Sequence, residues 1–217
     1  STHSEYWTLQ MRDHLDAYLQ AGGNLLYLSG NGLYWKVTFD DARRVMEVCR
    51  DGRAHEHTGE KGGLWRDLGR PEHSVTGVGF VSEGYMTHAP YRTVRPKHWI
   101  FEGLDLREDE LVGKDGLHGD GASGWEMDHV VPEWSPSNIE IIAEGINPAD
   151  NMKPGIDAIY PDPNYDWDCK GGAHMTYYTH LGGGGVFSAG SISFGASLAV
   201  DEQIQTIVTH VLNKFLT

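Results

Sequence analysis

The sequence predicts an α/β domain, and three observations carry that reading. A helical stripe of Met11, Leu15, Tyr18 and Leu19 stops at Gly22-Gly23 and gives way at once to the apolar run Leu25-Leu26-Tyr27-Leu28, which reads as a buried strand. A second buried strand, Val186–Ser191, is followed by a helix whose Ile204, Ile207, Val208, Val211, Leu212, Phe215 and Leu216 recur at i, i+3, i+4 spacing. The length, 217 residues, suits one sizeable core.

Taken in order, Thr8 is the N-cap of the first helix. After the first strand, Gly30-Asn31-Gly32 forms a turn that leads into Leu33–Val37. A strand at Val45–Cys49, a polar loop from Asp51 to Gly63 and an apolar stretch at Val75–Val81 follow. The strand Ile139–Ala143 precedes a turn-rich segment, Gly145–Gly185, whose length suits a lid or binding surface. The seven residues ahead of Thr8 hold no apolar strand. The expectation is therefore most of one domain over residues 1–217, with its first strand supplied by another segment or chain.

Composition narrows function. Seventeen Lys and Arg against 31 Asp and Glu give a net charge of −14, which repels a phosphate backbone over most of the surface and argues against nucleic acid. No apolar run approaches the roughly 18 residues of a membrane helix. Two cysteines, Cys49 and Cys169, supply no disulfide framework and no CxxC pattern, pointing to a reducing cytoplasm. Walker A, GxGxxG and HExxH patterns are absent, and Gly190-Ser191-Ile192-Ser193-Phe194-Gly195 lacks the spacing of a nucleophile elbow.

Several clusters carry candidate chemistry. In His3-Ser4-Glu5-Tyr6-Trp7, a phenol beside a helix start could ligate a hard metal ion, or could simply pack on the sheet while Glu5 favours the helix dipole. Tyr34 follows the Gly30–Gly32 turn on the same rim, either as a site residue or as aromatic packing. His55-Glu56-His57 could bind metal only if extended with both imidazoles on one face; a solvated loop is the alternative. In Gly121–Asp128, small residues lead to Glu126 between Trp125 and Met127, an apolar setting that suits a carboxylate to proton transfer, or a turn ending in a surface acid.

Together the motifs His3–Trp7, Gly22–Trp35, Thr58–Arg66, Gly77–Gly84, Gly121–Asp128 and Gly182–Phe194, with the terminal helix, resemble the C-terminal domain of the large subunit of N,N-dimethylformamidase and its relatives. The resemblance implies a glutamine-amidotransferase-like (flavodoxin-like) sandwich: a mixed sheet with flanking helices, incomplete at its N-terminus. It also implies hydrolysis of the C–N bond of small N-substituted formamides at one iron held by two tyrosines and a glutamate. Matched motif by motif, Tyr6 and Glu60 are metal ligands; the second tyrosine lies upstream, with Tyr34 as the alternative within this chain. Glu126 matches the family's acid near the metal, and Asn31, His57 or loop amides would stabilise the oxyanion. The resemblance further implies a small amide substrate, other segments or subunits of the same enzyme, and an oligomer. Two rivals remain: a noncatalytic binding or assembly module, and a related enzyme with another metal held by His55 and His57.

Overall fold

A computed structural model of the protein describes residues 3–81, 86–148 and 171–217. Its largest unit is a mixed six-stranded sheet. Helix α1 (Leu9–Gln20) begins at Thr8, whose Oγ1 accepts from Met11 N (3.2 Å), and ends before Gly22, where φ is +90°. Its expected apolar stripe is only half buried: Leu19 is enclosed, whereas Met11 and Tyr18 face solvent. Arg12 is buried instead, because its guanidinium reaches Pro71 O, Ser74 Oγ and Asp16.

β2 (Leu25–Tyr27) runs parallel to β13 (Gly185–Ser188). β13 then pairs antiparallel with β12 (His174–Thr179), β12 with β11 (Glu140–Gly145), β11 with β7 (Tyr91–Thr93) and β7 with β8 (Leu111–Val112). Strand alternation gives the sheet two apolar faces. Phe187 and Met175 join Ile204, Ile207, Val208 and Val211 of α4 (Glu202–Leu216) in one core; Val186 and Tyr178 join Leu19 of α1 and Val75 in another. Asp201 caps α4 by accepting from Gln203 N and Ile204 N, both 3.0 Å. Phe194–Leu198 forms a short α3, and Trp99–Phe101 a single 3-10 turn.

A second, three-stranded sheet holds β1 (Tyr6–Trp7), β3 (Trp35–Phe39) and β4 (Met46–Val48), with β1 parallel to β3 and β4 antiparallel to it. A short strand thus does precede α1. The strand expected from Leu33 starts at Trp35, because Leu33 adopts φ 56°. Val75–Val81 is split at Gly77 (φ +80°) into a single helical turn, α2 (His73–Thr76), and β5 (Gly79–Val81). β5 pairs with β10 (Met127–His129), and β6 (His88–Ala89) with β9 (Ser123–Gly124). The segment Gly145–Gly185 is no uniform loop, since β12 lies within it between two neighbours. The rest of that segment, with Cys169, falls largely outside the described residues. Cys49 is a buried free thiol. Among the described residues no helix is long and apolar enough to cross a membrane.

Candidate active site

The N-terminal segment is strapped to the turn after β2. Leu33 N donates to Ser4 O (2.8 Å), and the amides of Tyr34 and Trp35 both donate to Glu5 O (2.9 Å). This backbone pairing brings His3 and Glu5 beside Asn31. From the other side, the approach to β10 presents Glu126 and Asp128. The two stretches can touch because Gly30 has no side chain: a Cβ there would lie 2.2 Å from Glu126 O.

A polar cluster results. His3 Nε2 lies 3.1 Å from Glu126 Oε2 and 3.6 Å from Glu5 Oε2, while Asn31 Nδ2 donates to Glu126 Oε2 (3.1 Å). The side chains of Glu5 and Glu126 are 11% and 14% exposed against 39% for His3, so solvent reaches the carboxylates past the imidazole. The hydrogen bond to Glu126 outweighs burial and, with the nearby carboxylates, raises the pKa of His3 above its ordinary value. Asn31 Oδ1 is buried without a hydrogen-bond partner among the described residues. Beneath the cluster, Asp128 accepts from Asn31 N at Oδ1 (2.7 Å) and from Tyr27 Oη at Oδ2 (2.8 Å), and Gly32 N donates to Tyr27 Oη (2.7 Å). Burial pushes the Asp128 carboxyl up to about 7 and holds the Tyr27 phenol protonated.

Of the residues expected from sequence, Glu126 and Asn31 meet here. Trp125 and Met127 do not enclose the carboxylate: Met127 is buried, Trp125 is 42% exposed with φ 69°, and Glu126 faces polar partners. Tyr6 touches the edge of the cluster. Its hydroxyl accepts from Arg50 Nη2 (3.2 Å) and bonds to Glu5; burial first, then that carboxylate, raises its pKa.

Tyr34 packs in a small aromatic core, edge-on to Trp35 and Phe80 with the Arg66 guanidinium 5.0 Å from its ring. Glu60 is ion-paired to Lys36 Nζ (2.8 Å) and borders a groove of 590 Å³ at the start of α1, a groove lined by no residue of the cluster. Tyr6 packs against the aromatic core that holds Tyr34, and Glu60 pairs with Lys36. His57 is exposed with its amide near Glu47, whereas His55 is buried, so the two imidazoles do not share a face. Among the described residues, no three His, Cys, Asp or Glu side chains are arranged to hold a metal ion.

His3, Glu5, Tyr27 and Asp128 complete the cluster. The first two sit in a motif in which Tyr6 is the more conspicuous metal donor. Tyr27 lies inside an apolar run, where its hydroxyl gives no signal.

The fold and site define a mixed α/β domain that assembles carboxylates, an imidazole and a carboxamide beside the turn after β2. Comparison with known proteins names the family. The family model described as N,N-dimethylformamidase beta subunit-like, C-terminal, matches residues 1–207, and the chain belongs to this family. It is 31% identical over 244 residues to the N,N-dimethylformamidase beta subunit of Paracoccus aminophilus, and 31% identical over 245 residues to that of an Alcaligenes species. Each alignment covers 99% of this chain but only 31% of the relative.

Proposed function

We propose that this chain supplies part of the active site of a hydrolase that cleaves the C–N bond of a small N-substituted formamide. The observation that carries the reading is Glu126, held between His3 and Asn31 in a chain whose relatives are named N,N-dimethylformamidase beta subunits. Amide hydrolysis needs a base for the attacking water and an acid for the departing amine, because an amide anion is too poor a leaving group. Glu126 takes the water proton as oxygen bonds to the carbonyl carbon. The proton passes to nitrogen, directly or through His3, as the C–N bond breaks, and formate and the amine leave. Asn31 Nδ2 donates one hydrogen to Glu126; its second would stabilise the charge that develops on the carbonyl oxygen.

The resemblance to dimethylformamidase also implies iron. By the resemblance Tyr6 and Glu60, with Tyr34 as the alternative tyrosine, would hold it; Glu5, bonded to Tyr6, and Glu126 are further hard oxygen donors nearby. Iron bound there would polarise the formyl oxygen and lower the pKa of water. Other segments or subunits of the same enzyme, in an oligomer, would complete the site. A sandwich of the glutamine-amidotransferase type, and a cytoplasmic setting, are part of the same proposal. The sandwich is supported by the two helix-covered faces of the six-stranded sheet.

In the intact enzyme, Glu126→Gln should lower turnover of N,N-dimethylformamide by at least about a hundredfold while the thermal midpoint stays put. Unchanged turnover would give the domain to the assembly reading instead. Elemental analysis of the same preparation identifies the metal.

A further inference from the structure

Asp128 is fully buried behind Glu126, and both of its carboxylate oxygens accept hydrogen bonds. Its two oxygens hold two different parts of one turn. Oδ1 accepts the amide of Asn31, and Oδ2 accepts the hydroxyl of Tyr27, which in turn accepts the amide of Gly32. The turn needs this clasp because its backbone is unfavourable on its own: Asn31 and Leu33 stand at φ 49° and 56°, and Gly32 approaches so closely that a Cβ would lie 2.5 Å from Tyr27 Oη. The Asn31 carboxamide that leaves the turn is the one bonded to Glu126.

We propose that Asp128 is a positioning residue, which fixes the Asn31 carboxamide against Glu126 by clamping the Asn31 and Gly32 amides, the latter through Tyr27. The inference rests on the reading of Glu126 as the proton-transferring carboxylate. It adds that the geometry of that carboxylate is set from a buried layer in which Asp128 and Tyr27 have no contact with substrate. Removal of the clasp leaves the substrate contacts in place and blurs their alignment, so kcat falls and KM holds.

The test uses the whole enzyme with Asp128→Asn, Tyr27→Phe, Asn31→Ala and the Asp128→Asn/Asn31→Ala pair. Asp128→Asn keeps the shape but places an amide donor on one of two incoming donors; Tyr27→Phe keeps the ring and removes only the hydroxyl. Each should lower kcat by about ten- to a hundredfold with KM changed less than about threefold. The double variant should fall no further than the worse of its singles, because both act through one carboxamide. Hydrogen exchange gives a readout independent of turnover: in Tyr27→Phe and Asp128→Asn the Asn31 and Gly32 amides should exchange at least about tenfold faster, with Phe187 and Tyr177 in the central strands unchanged.

Multiplicative losses in the double variant, or loss of protection spread through the six-stranded sheet, would overturn the proposal in favour of a purely structural role. Full activity in Tyr27→Phe with slow Asn31 exchange would overturn it as well. If Glu126→Gln is inactive and these variants are not, the positioning role fails and the proposed function stands; if Glu126→Gln is fully active, the proposed function itself has failed.

Discussion

The six-stranded sheet and the turn at its edge are built on opposite terms. Around β12 and β13 the buried side chains are overwhelmingly apolar, Met175, Val186, Phe187 and the Ile204–Val211 face of α4 among them, and each strand is satisfied by its neighbours. At the turn between β2 and β3 the buried groups include the polar Ser29 and Asn31, held by Asp128 and the Tyr27 hydroxyl, beside the apolar Leu33, on a backbone with two non-glycine residues in the left-handed region. The sheet gains stability from area removed from water. The turn gains position from directed hydrogen bonds whose net contribution to stability is small. Stability and candidate chemistry are thereby separated in space, and a substitution in one should leave the other largely untouched.

The strongest test of that separation is in the core. Phe187→Ala should cost about 3–5 kcal/mol in chemical denaturation, while the molecules that remain folded turn over at the parent rate. Loss of turnover per folded molecule would break the comparison. Next in size, Gly30→Ala should affect both regions, since its Cβ would meet Glu126 O at 2.2 Å, a backbone atom that cannot swing aside. A cost of about 1–3 kcal/mol together with a fall in turnover is expected, read from the thermal midpoint and steady-state kinetics.

A pH series separates buried acid from buried base. The Asp128 carboxyl is raised to about 7 in the fold, above its unfolded value near about 3.9, so the folded state holds the proton more tightly. Its contribution is complete below the unfolded value and is lost as pH rises through 7; Asp128→Asn should remove that slope from denaturation curves measured between pH 4 and 8. His73 behaves in the opposite sense. Burial lowers it below 6.5, so its contribution is present above that value and lost on acidification, and His73→Phe should reduce acid sensitivity. The smallest effect is expected at the surface: Arg92→Ala, which breaks ion pairs to Glu144 and Asp109, should change stability by less than about 0.5 kcal/mol.

The two regions also differ in how well they can be read from sequence. α4 and β13 follow from periodicity, because burial of a repeated apolar face is what orders them; α1, β2 and β11 are legible for the same reason. β12 is not, since His174, Thr176 and Tyr177 break the apolar pattern although the strand is central. In the site, Asn31 stands out between two glycines and Glu126 between two apolar residues. The partnership of His3, Glu5 and Asp128 with them depends on contacts across about 100 residues, of which Tyr27–Asp128, 101 positions apart, is typical. His55 and His57, two positions apart in the chain, proved to differ in burial, the first enclosed and the second exposed. Spacing reports neighbours along a strand and says nothing of a fold-back.

One pairing bears on how such a chain comes off the ribosome. β2 is parallel to β13, and Gly185 N donates to the side chain of Asn24, 161 positions earlier. The edge strand β2 therefore has no partner in this sheet until residues 185–188 have been synthesised, when β13 slots between it and β12. Until then the edge of Leu25–Tyr27 that faces β13 is unpaired, and nascent chains are exposed to aggregation while the intervening residues are made. Slowing synthesis just before β13 should lower soluble yield, and supplying a holdase chaperone should raise it.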